Sequence, residues 1–311
     1  MLGLLKTTTP VPLMLHLQAR ADVLQEQRDR CATAIESFLV RRMACNLTTK
    51  DYNRLFLSLL PGVQTFGGTE VGEHVEQALA EQTAPSRYWP DDGKYISALL
   101  GENIDRVLKG PRLRVLLGGM EAALRLNKSE MGFVPANVER LSVEHLLPQQ
   151  WTSHYPLPDD AEADALERRE RAVHRLGNLT LTTTKLNSSV SNGPWSIKRR
   201  ELNQHAVLLL TAGSVLQAPP SLEDRLGQDW AQTWDEQRID LRGLYLTSLA
   251  MRAWPRPETT EAFEATRDKC EEVPNDLQAA VSRGAMRYGD IAGHIASGLQ
   301  HPCGRRLPND L

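Results

Sequence analysis

Glu144 and His145 stand side by side in Val143-Glu144-His145-Leu146-Leu147-Pro148-Gln149, and two asparagines follow, Asn178 in Leu176-Gly177-Asn178-Leu179 and Asn187 nine residues later. Hydrolysis of a phosphodiester needs a base to deprotonate water, a divalent cation to offset charge at the phosphate and leaving oxygen, and a group that holds the base in place. A carboxylate next to a histidine at a strand end can supply the first two. Neighbouring side chains on a strand point to opposite faces, so both reach one cleft only where a strand end or bulge splays them. Taken alone, a Glu-His pair on a strand is more often structural than catalytic.

The elements that must position these residues can be read from pattern. Leu141–His145 alternates apolar and polar residues, as a short half-buried strand does, and Pro148 ends it. A second alternating, Thr-rich stretch covers 176–182, and the interval from Asn178 to Asn187 suits a strand, a turn and the start of a helix that returns Asn187 to the first strand. Asn192-Gly193-Pro194 is a break, with Pro194 opening a helix over 195–204. A charged, Ala-rich helix is expected over 159–173, between the two strands. Upstream, apolar steps of three and four predict helices over 12–45, from Thr48 or Thr49 to a stop at Pro61-Gly62, near 70–82, over 93–107 and over 111–125. Downstream, 208–216 is an apolar run of open type and 228–251 reads as a long helix. The fold class is thus mainly α (α+β), divided into a helical region 1–125, a unit 126–255 that carries the motif and its closing helix, and a tail or small helical extension 256–311.

Composition gives no hint of this chemistry. The 311 residues carry 36 Lys+Arg against 39 Asp+Glu, a formal charge of −3, with 41% hydrophobic residues. That excludes both a strongly basic nucleic-acid clamp and a disordered acidic chain. Cys31, Cys45, Cys270 and Cys303 form no C-x-x-C pair, so neither a disulfide scaffold nor structural zinc is expected. No membrane span and no signal peptide are expected, which points to a cytoplasmic protein.

The motif resembles the HNH, or ββα-metal, nucleases: an acid–His pair on one strand, Asn-Leu in the next, and a His or Asn on the following helix. Glu-His-x-x-Pro-Gln, Gly-Asn-Leu-Thr-Leu, and Asn187, Ser191, Asn192, Trp195 and Lys198 together are similar to the C-terminal nuclease domain of GmrSD-type modification-dependent restriction endonucleases, a group with phosphorothioate-sensing phage-defence relatives. Phe38–Arg42, Thr48–Asn53 and Trp234-Asp235-Glu236-x-Arg238-Ile239-x-x-Arg242 extend the likeness over roughly 30–255.

The resemblance implies a helical protein with an embedded ββα-metal unit that nicks or cleaves phage or modified DNA with Mg²⁺ or Mn²⁺, as the effector of an anti-phage restriction system. It implies His145 as general base, Glu144 and Asn187 as metal ligands, and Asn178 as a brace acting through backbone contacts. Lys185, Lys198 and Arg199 would contact phosphate, although Lys198-Arg199-Arg200 also reads as a solvated helix face. His174 could touch a phosphate or simply pack, and Asn192 reads first as a turn residue. The family's nucleotide-dependent sensor, with its Asp-Gly-Gln-Gln-Arg-like motif, has no counterpart in the sequence. A sensor domain or subunit outside this chain is therefore expected. A catalytically idle DNA-binding or protein-interaction module, or an RNase on the same scaffold, is the competing reading.

Overall fold

Apolar residues at helical spacing build the first half of the chain. In the computed structural model, which describes residues 7–101, 103–126, 138–157, 161, 163–184, 186, 192–219 and 229–257, they form α1 (Val11–Ala19), α2 (Gln25–Ala44), α3 (Tyr52–Thr65), α4 (Val71–Ala80), α5 (Asp92–Leu99), the one-turn α6 (Ile104–Val107) and α7 (Gly110–Leu126). Phe38, Leu55, Phe56, Val63 and Trp89 are the centre of a core built largely from α1–α4.

Three helix expectations in the first half of the chain are corrected. The single run over 12–45 is two helices, because the intervening turn finds tertiary partners: the Leu24 N–H donates to the Gly68 carbonyl at 3.2 Å and Arg20 donates to the Phe66 carbonyl at 3.0 Å. Pro61-Gly62 does not end α3. The helix continues to Thr65, with Val63 fully buried, and Gly62 instead permits a close crossing, since a Cβ there would lie 2.0 Å from His74 Nε2. The run over 93–107 breaks after Leu99, which gives α6 its own direction while Ile104 and Leu108 are buried in the core.

The strand at 141–145 forms as expected, as β1 (Leu141–His145). Residues 176–178 are a single tight turn before β2 (Leu179–Thr183), and α8 (Ala165–Val173) lies between the strands. β1 and β2 pair antiparallel, with Glu144 opposite Thr180 and His145 opposite Leu179. Strand alternation gives the sheet two unlike faces. Leu179 and Leu181 enter a core with Leu116, Met120, Leu246 and Trp254, which draws residues from both sides of position 125. On the other face Thr180 Oγ1 lies 2.8 Å from Thr211 Oγ1, and Glu144 points the same way.

Pro194 precedes α9 (Trp195–His205), and the 208–216 run is a helical turn followed by a π-helical turn. The closing helix α10 (Glu236–Ala253) starts eight residues later than expected, at the Asp235 cap, which accepts from the Arg238 N–H at 3.0 Å. Its Arg242 is completely buried and donates to the carbonyls of Gly177 at 2.7 Å and Leu179 at 2.8 Å and to Ser214 Oγ at 2.9 Å. Burial lowers its pKa to about 9. Gly177 is where α10 crosses the turn: a Cβ there would sit 1.7 Å from the Ile239 carbonyl oxygen. The tail from 258 onward lies outside the described residues.

Candidate active site

The end of β1 is held by Asn178. Its Oδ1 accepts from the Leu147 N–H at 2.7 Å and from Trp234 Nε1 at 3.1 Å, and its Nδ2 donates to the carbonyls of Leu147 at 2.8 Å and Val173 at 2.9 Å. Its own carbonyl accepts from the Leu146 N–H at 2.9 Å. With no solvent exposure, Asn178 uses its amide wholly to join the residues after β1, the end of α8 and the approach to α10.

Glu144 and His145 diverge, as strand alternation requires. Glu144 is 7% exposed, and its Oε1 accepts from Lys198 Nζ at 2.5 Å; the same ammonium donates to the His145 carbonyl at 2.7 Å. Burial pushes the Glu144 carboxyl up and the Lys198 ammonium down, and each is partly offset by the other's charge. Both expectations for Lys198, phosphate contact and a solvated helix face, are corrected: it has no exposure at all. Trp195, Lys198 and Leu202 share one face of α9, and that face packs inward. Arg199, half-buried, donates to Gln232 Oε1 at 2.9 Å, and Arg200 is exposed. Glu144 Oε2 has no hydrogen-bond partner among the described residues.

On the other side His145 meets a residue that sequence reasoning missed. Its Nε2 lies 2.9 Å from Asp105 Oδ2 on α6, and Gln149 Nε2 lies 3.4 Å from the same ring nitrogen. His174 Nδ1 is 2.8 Å from that carboxylate oxygen, and Arg106 Nη2 is 2.6 Å from His174 Nε2. The two rings stand edge to face, with centroids 6.4 Å apart. Side-chain exposure is 6% for Asp105, 12% for His174 and 21% for His145, so the histidine on β1 opens most to solvent. Its Nδ1 has no partner among the described residues. Burial pushes the Asp105 carboxyl up, but the hydrogen bonds from His145 and His174 outweigh it and hold the group below the usual carboxylate value. One ligand atom from each of Asp105, His145 and His174 lies within 4.8 Å of the others, a spacing open to a metal ion.

Asn192 is exposed and donates to Gln150 Oε1 at 3.1 Å, tying the start of α9 to the segment after β1. Asn187 and Lys185 lie outside the described residues. No spacing in the sequence marks Asp105, a lone acid in Asn103-Ile104-Asp105-Arg106. Only the break after Leu99 and the burial of Ile104 aim it at β1.

The family model described as GmrSD restriction endonucleases, C-terminal domain, matches residues 89–249. The match begins ahead of α6 and takes in both strands, α9 and most of α10. No curated protein and no solved structure matches the chain.

Proposed function

The chain belongs to the GmrSD restriction endonucleases, carrying their C-terminal nuclease domain, and from that premise we propose that it is an HNH-type, metal-dependent DNA endonuclease acting as the effector of anti-phage restriction. The observation that carries this reading is the open end of β1. There His145 keeps one ring nitrogen free, and its chain neighbour Glu144, on the opposite face of the strand, keeps one carboxylate oxygen free. Histidine is the side chain best suited to take a proton from water near neutral pH.

The donor chemistry fits a hard divalent cation. Glu144 Oε2 is available while Lys198 fixes Oε1, and an amide oxygen from Asn187 would complete an oxygen-rich protein set of the kind Mg²⁺ or Mn²⁺ takes alongside water. When bound, such an ion neutralises charge at the phosphate and leaving oxygen. The chain's own residues do the rest. His145 receives the water proton at Nδ1, Lys198 fixes the Glu144 carboxylate and the His145 carbonyl together, and Asn178 holds the turn against which β1 ends. Arg199 and Lys185 are the remaining candidates for phosphate contact. Lys198 is not one. The catalytic unit of 126–255 would then work with α6 from the helical region 1–125, and a nucleotide-dependent sensor would direct it to phage or modified DNA. Among the described residues no helix is long and apolar enough to cross a membrane.

Supercoiled plasmid incubated with the full chain and Mg²⁺ should be nicked or linearised, and EDTA or His145→Ala should abolish this. Cutting that survives both controls refutes the mechanism. DNA binding without cutting would instead identify an idle module, and preferential cutting of RNA would reassign the substrate.

A further inference from the structure

Two histidines share one oxygen of a buried carboxylate, and an arginine stands behind the second histidine. The protons in this chain can be assigned. A guanidinium only donates hydrogen bonds, so Arg106, 2.6 Å from His174 Nε2, requires a lone pair on that nitrogen. The His174 proton therefore sits on Nδ1, where it meets Asp105 Oδ2 at 2.8 Å. An ionised carboxylate only accepts. His145 Nε2, at 2.9 Å from the same oxygen, must therefore carry its proton too, which leaves the lone pair on Nδ1. The Gln149 amide agrees with this assignment when its oxygen faces that proton.

From this geometry we infer that Asp105, backed by His174 and Arg106, is a positioning residue that fixes His145 in its Nε2–H tautomer and turns Nδ1 outward as the proton acceptor. The inference rests on the nuclease reading for its catalytic consequence, though not for the tautomer itself. Its source lies forty residues upstream of His145, on one turn of helix held by Ile104, 2% exposed, and Leu108, fully buried. The second Asp105 oxygen, Oδ1, is buried with no hydrogen-bond partner among the described residues. Both recorded bonds to the carboxylate thus come from the two imidazoles. The same arrangement opposes a metal ion among Asp105, His145 and His174, whose ligand atoms are close enough for one. Ligation through His174 Nδ1 would move the ring proton to Nε2, directly against Arg106.

The test uses the full chain labelled with ¹⁵N-histidine and a long-range ¹H–¹⁵N correlation spectrum at about pH 8, where an ordinary imidazole is neutral. His145 should report the Nε2–H tautomer and His174 the Nδ1–H tautomer, and Asp105→Asn should mix the His145 tautomers. In plasmid nicking, Asp105→Asn should lower kcat by at least about 100-fold, a conservative floor beside the roughly 10⁴-fold loss that a wrong imidazole tautomer costs a serine hydrolase. KM should stay within about twofold, and Asp105→Glu should recover part of the loss. An Nδ1–H tautomer for His145 in the unmutated chain overturns the inference. So does an unchanged kcat in a folded Asp105→Asn protein, or stoichiometric Zn²⁺ binding that His174→Ala abolishes. Expected tautomers in a chain that cuts no nucleic acid would refute the nuclease reading while leaving the assigned network intact.

Discussion

Replacing Asn178 with alanine should unfold the site before it alters any chemistry, and the size of the effect can be worked out from its four side-chain hydrogen bonds. The substitution strands the Leu147 N–H, the Leu147 and Val173 carbonyls and the Trp234 indole N–H. Leu147 is fully buried, Val173 is 2% exposed and Trp234 3%, so water does not readily replace the lost partner. A buried polar group left without a partner costs about 1–3 kcal/mol. Even at the lower figure the four together cost about 4 kcal/mol, a large part of the roughly 5–15 kcal/mol that holds a typical domain folded. With a urea slope of about 2–3 kcal/mol/M, the unfolding midpoint should fall by roughly 1.5 M. Asn178→Asp should fare no better, because it keeps an acceptor but turns a carboxylate toward two carbonyls. The assay is urea unfolding followed by tryptophan fluorescence, run beside plasmid nicking on the same preparations. A midpoint shift below about 0.4 M together with abolished nicking would refute the argument, since Asn178 would then act on the reaction itself and not as a bracket.

Lys198→Met should cost about 3 kcal/mol by leaving Glu144 Oε1 buried without its counter-charge. It should also lower nicking while leaving the salt dependence of DNA binding unchanged, because a side chain with no exposure releases no counterions; a shallower salt slope would put the ammonium back on DNA. The low pKa of Asp105 predicts an acid effect. Burial raises this carboxyl, but the hydrogen bonds from His145 and His174 hold it below its unfolded value of 3.8. Between the folded and unfolded values the unfolded chain binds more protons. The stabilisation is therefore complete above the unfolded value and is lost as pH falls through the folded one. The stability gap between the parent chain and Asp105→Asn should narrow as pH drops from about 5 to below about 3, and a gap that stays constant in urea titrations would contradict the assignment.

Much of the frame around the site was legible because local chemistry and tertiary need agree there. Leu141–His145 alternates as a strand whose two faces meet different surroundings, and Pro194 opens α9 where a missing N–H is harmless. The inward position of Lys198 was readable from Trp195 and Leu202, which share its helix face, but the run Lys198-Arg199-Arg200 drew attention to charge instead. Pro61 misled for a related reason. A helix tolerates the missing hydrogen bond when the residues beyond it, Val63 above all, have a core to enter. Asp105 could not be read at all. Its role depends on where a one-turn helix points after the chain breaks at Leu99, and no local pattern encodes that direction.

The pairing of β1 with β2 has a consequence for how such a protein can be remodelled. The chain leaves β1 at His145 and returns at Leu179, and the bonds of Asn178 and Leu146 pinch the two ends of that excursion together. Closing a longer loop between fixed ends costs only about 0.6 kcal/mol for each doubling of its length. The part of the excursion between Tyr155 and α8 can therefore lengthen or accept a grafted module while the reactive strand keeps its register, provided that Leu147, Val173 and His174 keep their places. It is the place where a new DNA-reading element could be inserted with least disturbance to the scissile chemistry.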